Sequence, residues 1–195
     1  GATVKNSRWR INKNLLGDVG FCPTIKKTDT ISKALEHDYS ESLRELTKNY
    51  SPEILTRANN YLYKNETRSS YQIEKEEPTP ERIERFVGLL SNAGKKNIGE
   101  LLSEESLVAL QNQIVDPRFA AKGFRDFQNY IGQTTSNYDE IIHYICPPPE
   151  FLPDLMKDLS VTAIKMECVN PIVRATAVAF GFVFIHPFED GNGRI

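Results

Sequence analysis

Apolar positions fall at helical spacing in five places along this chain. Two of these runs open with the same kind of start signal, Ser51-Pro52-Glu53 and Thr79-Pro80-Glu81. Each offers an N-cap hydroxyl, a proline at the first helical position and an acid in the first turn. After the first, Ile54, Leu55, Ala58 and Leu62 keep one face, and the pattern predicts a helix to about Glu76, stopped by Pro78. After the second, Ile83, Phe86, Val87 and Leu90 recur at i, i+3, i+4 and i+7, and Gly94 fits a C-terminal cap. A third helix is predicted from Ser103 to Val115, with Leu107, Leu110 and Ile114 inward and Pro117 beyond its end. Leu152, Leu155, Met156, Leu159, Ala163 and Met166 form the stripe of a fourth. Asn170-Pro171 opens a fifth, whose body at 172–185 is apolar almost all round. Such a helix is expected to be buried on all sides at the centre of a bundle, roughly 20 Å long at 1.5 Å per residue. Pro187 ends it, because a residue before proline is pushed out of the α region.

Elsewhere the pattern is different. Residues 1–39 are polar and weakly periodic, which predicts an extended arm with at most a short helix, pinned by Trp9, Ile11, Leu15 and Leu16. Residues 124–133 are rich in aromatics, and 138–145 end in alternation around Ile142 and Tyr144. Thr134-Thr135-Ser136-Asn137 between them has turn composition, so two short strands in a hairpin are expected. Pro147-Pro148-Pro149 closes the hairpin as a stiff extended segment. The fold class is therefore mainly α, a helical bundle around a buried central helix with a short β-hairpin. Three regions are expected: an arm at 1–50, a helical region at 51–94 and a core at 95–195.

The 195 residues suffice for one domain with a real core plus a helical extension. A net charge of −2, with no long basic stripe, removes any general electrostatic reason to bind nucleic acid or an anionic membrane. Cys22, Cys146 and Cys168 are odd in number and form no CxxC, which disfavours a disulfide framework or zinc site and fits a reducing cytoplasm. The longest apolar stretch is 172–185, interrupted by Arg174, and falls short of the about 20 residues that cross a bilayer. Residues 1–10 hold no apolar signal-peptide core.

The chemistry gathers directly after the apolar helix, in His186-Pro187-Phe188-Glu189-Asp190-Gly191-Asn192-Gly193-Arg194-Ile195. Glycines leave backbone N–H groups unobstructed, and successive N–H groups in such a turn make a concave anion site. Arg194 adds a planar fork of donors for phosphate oxygens. Asp190 is a hard oxygen ligand suited to Mg²⁺ shared with substrate phosphates. His186 is the residue type that titrates near neutrality and takes a proton from an attacking hydroxyl. Phe188 reads as the anchor of the loop in the core. Each of these residues alone has a bland reading: a structural histidine, a plain turn, a solvated aspartate. Their coincidence behind a core helix points instead to phosphoryl-type transfer, where positioning and charge stabilisation dominate.

HPFEDGNGR resembles the signature of the Fic family, HxFx[DE]GNGRxxR. The resemblance extends upstream through Gly123-Phe124-Arg125, Asn129-Tyr130-Ile131-Gly132 and the stretch from Pro147 to Leu159; it covers 95–195 well and 51–94 more loosely. It implies transfer of AMP from ATP to a Ser, Thr or Tyr hydroxyl of a target protein. By matching position, His186 would be the general base and Asp190 would hold Mg²⁺. Gly191, Asn192 and Gly193 would line the anion hole, and Arg194 would bind phosphate. The hairpin would be the flap that docks the target by strand addition, with Asn129, Tyr130, Ile131, Gly132, Ile142, His143 and Tyr144 in contact.

Many members of the family also carry an inhibitory motif, [ST]xxxE[GN], on a helix before the core. Ser70 and Glu74 match it, and Lys75 departs from its last position. The resemblance implies that this glutamate pairs with the last arginine of the signature and displaces the γ-phosphate. That second arginine would fall at position 197, so a chain shortened just after the signature is expected, with catalysis belonging to the parent protein. Two other readings stay open: another phosphoryl or nucleotidyl transfer, including AMP removal, and a non-catalytic nucleotide-sensing module. Of the remaining residues, His37 and His143 are expected at the surface and Cys168 in the core. Tyr61, Tyr63 and Tyr71 are expected to pack, one of them being a candidate for self-modification.

Overall fold

The computed structural model describes residues 4–8, 10–13, 15–92 and 95–195. Contacts divide the chain into two compact units, one of residues 1–24, 96–193 and 195, the other of residues 25–95 together with Arg194. In chain order, the first unit begins with a small antiparallel pair, β1 (Val4–Asn6) and β2 (Ile11–Lys13). The second unit supplies α1 (Asp29–Glu36), α2 (Tyr39–Asn49), α3 (Pro52–Ile73) and α4 (Pro80–Asn92). The chain then returns to the first unit with α5 (Ile98–Leu101), α6 (Glu104–Ile114), the hairpin β3 (Tyr130–Thr134) and β4 (Glu140–Ile145), α7 (Leu152–Lys165) and α8 (Pro171–Ile185). The mainly helical architecture with one hairpin before the last two helices agrees with the sequence pattern. None of the helices among the described residues is long and apolar enough to cross a membrane.

The core of the first unit is built from Leu107 of α6, Leu152, Met156 and Leu159 of α7, Phe182 and Ile185 of α8, and Phe188 just beyond. Phe21 packs onto this cluster and ties the N-terminal segment down. Its carbonyl accepts a 3.0 Å hydrogen bond from Thr162 Oγ1, and its ring leaves no room for a side chain at position 181. A Cβ on Gly181 would sit 2.6 Å from Phe21 Cζ and 2.7 Å from Leu159 Cδ1. Glycine here lets α7, α8 and Phe21 meet. Phe21 thus pins the segment, a role for which Trp9, Ile11, Leu15 and Leu16 were expected; Leu16 is half-buried and the Ile11 side chain lies outside the described residues. Leu15 is exposed, and Trp9 lies outside the described residues, as does the expected cap Gly94.

Three findings differ from the sequence pattern or add to it. First, α1 is the short helix allowed within residues 1–39, and α2 follows it where no helix was expected. Thr28 caps α1 by accepting from Ile31 N–H, and Asp38 caps α2 by accepting from Ser40 and Glu41. Neither helix has a buried residue, although Ile31, Ala34 and Leu35 in α1 and Tyr39, Leu43 and Leu46 in α2 keep helical spacing beside these caps. Second, α8 is not buried on all sides: Ile172, Phe180, Val183 and Phe184 are exposed while Ala177, Phe182 and Ile185 are inward. Its apolar composition permits burial all round, but α7 and the 3₁₀ turn at 166–168 pack only one flank. Third, Cys168 is exposed, because Met166 takes the inward position of that turn.

The end of α3 also differs, and the difference matters for the site. The helix stops at Ile73, with Glu74 as its C-cap. Lys75 follows with φ +57°, its N–H bonded to Gln72 O at 3.0 Å, and Glu76 N–H reaches back to Tyr71 O at 2.9 Å. That is a Schellman turn, with lysine in the left-handed position that glycine usually takes. A β-carbon there costs roughly 1–2 kcal/mol. Lys75→Gly is expected to stabilise the protein by about 0.5–1 kcal/mol after the extra chain entropy of glycine is offset. The check is urea unfolding, with a higher midpoint at unchanged slope. A lower midpoint would show that the left-handed turn is not strained.

Candidate active site

The loop after α8 is shaped at its first residue. His186 caps the helix in the left-handed conformation, φ 54° and ψ 60°, with its N–H bonded to Phe182 O at 2.9 Å. Its Nδ1 lies 3.2 Å from Val183 O. A carbonyl can only accept, so this bond requires the proton on Nδ1. In the neutral ring the lone pair is then on Nε2. The imidazole is thus held by one edge, in the tautomer that presents a base at the other.

Pro187 and Phe188 turn inward. Phe188 is fully buried, its ring edge-on to Phe124 at 5.7 Å and tilted against Phe182 at 6.4 Å. Asn192 closes the loop: its Oδ1 accepts from Phe188 N–H at 2.9 Å, and its Nδ2 donates to Phe188 O at 2.8 Å. Between them Gly191 has φ +88°, and a Cβ on it would sit 2.7 Å from Val115 Cγ1. Both the conformation and the close approach require glycine. Ile195 N–H donates to Gly191 O at 3.1 Å, completing a helical turn over Asn192, Gly193 and Arg194.

Asp190 is half-buried, and its Oδ1 accepts the Gly191 N–H at 2.7 Å. The Gly191 amide expected in an anion hole is therefore occupied by the neighbouring carboxylate in this structure. Among the described residues no three His, Cys, Asp or Glu side chains cluster as a metal site. One carboxylate nonetheless fits Mg²⁺, which is usually held by one or two carboxylates and completed by substrate phosphates.

Two buried side chains that spacing alone does not mark hold the loop from outside. Gln111 of α6, fully buried, donates from Nε2 to Phe119 O at 2.8 Å and to Asp190 O at 3.2 Å, while its Oε1 accepts from Ala121 N–H at 3.0 Å. The available signal was its position, four residues after Leu107 and three before Ile114 on the inward face. Arg125, also buried, donates from Nε to His186 O at 2.8 Å. Burial pushes its guanidinium below the usual arginine pKa, and Cys146 and Tyr144 oppose that shift. Cys146 is buried, which raises its thiol and leaves it a packing residue.

The hairpin lies in the same unit. Tyr130 pairs with Ile145 and Ile131 with Tyr144, then Gly132 pairs with Ile142, which leaves His143 as the extra residue of a bulge. Asn129 is half-buried, while Tyr130, Ile131, Gly132, Ile142 and His143 are exposed. The first strand begins at Tyr130, because residues 124–129 are drawn into bonds around Arg125 and not into a ladder. Tyr130 Oη donates to Glu140 Oε2 at 2.6 Å, and that bond, then the carboxylate charge, raises the phenol. Tyr144 Oη donates to Phe184 O at 2.7 Å, fastening the hairpin to the end of α8.

Arg194 packs with the second unit. Its Nη1 donates to Glu76 Oε1 at 2.8 Å, and Arg82 Nη2 reaches the other oxygen at 3.1 Å. Both guanidinium groups lie over the Tyr71 ring, at 4.8 Å for Arg82 and 5.4 Å for Arg194. The Arg194 side chain is 1% exposed, Glu76 32%. Ser70 is half-buried on α3 and Glu74 is exposed at its C-cap. The carboxylate that meets Arg194, the first arginine of the signature, is Glu76, whereas the partner expected for Glu74 is the last arginine of the signature, at what would be position 197. The left-handed turn at Lys75 sends Glu76 back toward Tyr71, and a lysine gives no sign of that turn.

Comparison with known proteins follows the same residues. Residues 101–195 match the Fic/DOC family. No curated protein matches the chain. Among solved structures it is similar to the crystal structure of a Fic family protein from Desulfovibrio desulfuricans G20, with a TM-score of 0.60 and 19% identity. The likeness covers 89% of this chain and 57% of that one, so this chain spans little more than half the length of its neighbour. Identity that low speaks to fold alone, whereas the family match rests on the segment that holds the loop, the hairpin and their clamps. The match to the Fic/DOC family is thus carried by residues 101–195, the segment that holds the loop and the hairpin.

Proposed function

We propose that the protein transfers AMP from ATP to a Ser, Thr or Tyr hydroxyl of a target protein. Members of the Fic/DOC family commonly carry out this or a related nucleotidyl transfer. The observation that carries the reading is the His186 imidazole, tied through Nδ1 to Val183 O at the head of a glycine loop built on the core. In the reaction, Nε2 takes the proton of the target hydroxyl as its oxygen bonds to the α-phosphorus. The bond from that phosphorus to the bridging oxygen breaks, and pyrophosphate leaves. Asp190 would hold Mg²⁺, which supplies charge neutralisation at the phosphates. The Asn192 and Gly193 amides and Arg194 are the donors for phosphate oxygens, and Gly191 joins them once its amide leaves Asp190. The hairpin, with an open strand edge and exposed Ile131 and Ile142, is the surface for an extended target segment.

The Arg194–Glu76 pair supports regulation by competition. A guanidinium held by a carboxylate must release it to hold phosphate, and one such charge-assisted bond is worth about 1.5–3 kcal/mol. Glu74 remains the motif's own candidate for this role, and the two separate by mutation.

Incubated with Mg²⁺ and ATP labelled at the α-phosphate, the full-length protein is expected to place label on protein, and His186→Ala is expected to lose it by at least about 100-fold. Label from the γ-phosphate instead would assign phosphate transfer, and nucleotide binding without label would assign a sensing module. Glu76→Gln is expected to raise transfer by about 10–100-fold, the equivalent of one charge-assisted bond. Glu74→Gly measured beside it shows which carboxylate restrains the enzyme. If neither variant raises the rate, restraint by this helix end is wrong.

A further inference from the structure

We propose that Arg125 is a positioning residue that joins the head of the catalytic loop to both feet of the β3–β4 hairpin, so that target segment and base are held in one register. This rests on the transferase reading above. Arg125 is buried, yet among the described residues no carboxylate lies within ion-pair distance of its guanidinium. Burying that charge is costly, and a leucine would fill the space without the cost. What a leucine cannot do is donate in three directions.

The three directions lead to three separate segments. Nε donates to His186 O at 2.8 Å, Nη1 to Phe127 O at 2.7 Å and Nη2 to Pro147 O at 2.6 Å. The Arg125 main-chain N–H adds Pro187 O at 2.8 Å. Phe127 stands before β3 and Pro147 after β4, so the hairpin is gripped at both feet. Cys146 N–H to Asn129 O at 3.0 Å and Gln128 Nε2 to Cys146 O at 2.6 Å close the same base. At the other end, the carbonyls of His186 and Pro187 are both held, which fixes the peptide plane next to a left-handed residue. The direction of the imidazole follows from that backbone. One planar fork thus carries the orientation of the base to the strands that would present its substrate. A lysine, with its donors on a single nitrogen, cannot span the three carbonyls.

The test is Arg125→Lys in the full-length protein, with four readouts. The fold is checked by thermal unfolding. The three histidines, 37, 143 and 186, allow the His186 ring resonance to be assigned by NMR. Hydrogen exchange reports the Cys146 amide at the hairpin base. Transfer is followed at varied target and varied ATP. Expected are a cooperative melt, a displaced His186 resonance with the His37 resonance unmoved, and Cys146 exchange faster by about tenfold. The turnover number should fall by about 100-fold, as for a reacting group displaced by an ångström, with the KM for ATP unchanged. A His186 resonance and a hairpin exchange rate both equal to those of the wild type would overturn the proposal. Should the wild type transfer nothing, the transferase reading fails, and the resonance and exchange readouts still decide the role of Arg125. Should Arg125→Lys not fold, exchange in the wild type decides it. The amides of Arg125, Cys146 and His186 must then open with one common free energy, and independent opening of the hairpin base overturns the coupling.

Discussion

Asn192 accepts the Phe188 amide proton and returns one to the Phe188 carbonyl, and the geometry of the 186–193 loop depends on that exchange. A loop of eight residues has too few backbone partners of its own to hold a unique shape. Here the two hydrogen bonds span a residue whose ring is sealed in the core, so loop and core share one reference frame. Fully burying a phenylalanine is worth about 1.5–3 kcal/mol, enough to offset the left-handed conformation imposed on His186. The glycine at 191 is then required by the same closure, since the chain passes within contact of Val115.

The loop is held at its two ends by different chemistry. Gln111 secures the carbonyl of Asp190 from α6, and Arg125 secures the carbonyl of His186 from the hairpin base. Both are buried polar groups that bond to main chain, and both would be costly if those bonds were lost. His186 is oriented through Val183, Asp190 through its neighbour's amide, and Arg194 through Glu76.

Much was legible from the residue pattern. The helices from Pro52 on, except the single-turn α5, carry either a proline-marked start or an apolar stripe, and those signals are local. The hairpin was legible from turn composition and alternation. The helix α2 was passed over although Tyr39, Leu43 and Leu46 keep helical spacing, since the segment around them is polar and none of its residues is buried. The exposed flank of α8 was not legible either, because composition states what a helix tolerates and not how many neighbours it meets.

The sequence by itself determined which residues could carry chemistry, since His186, Asp190 and the glycines lie within eight positions and no folding is needed to bring them together. It also carried the match of residues 101–195 to the Fic/DOC family, because a contiguous motif survives in one dimension. Only the tertiary structure decided who holds them. Gln111 lies 79 residues from Asp190, Arg125 61 from His186 and Glu76 118 from Arg194. Contacts over such separations are set by how helices pack and where a turn goes left-handed. A lysine in a glycine's place, or a glutamine on a leucine face, reveals its part only when the chain has closed around it.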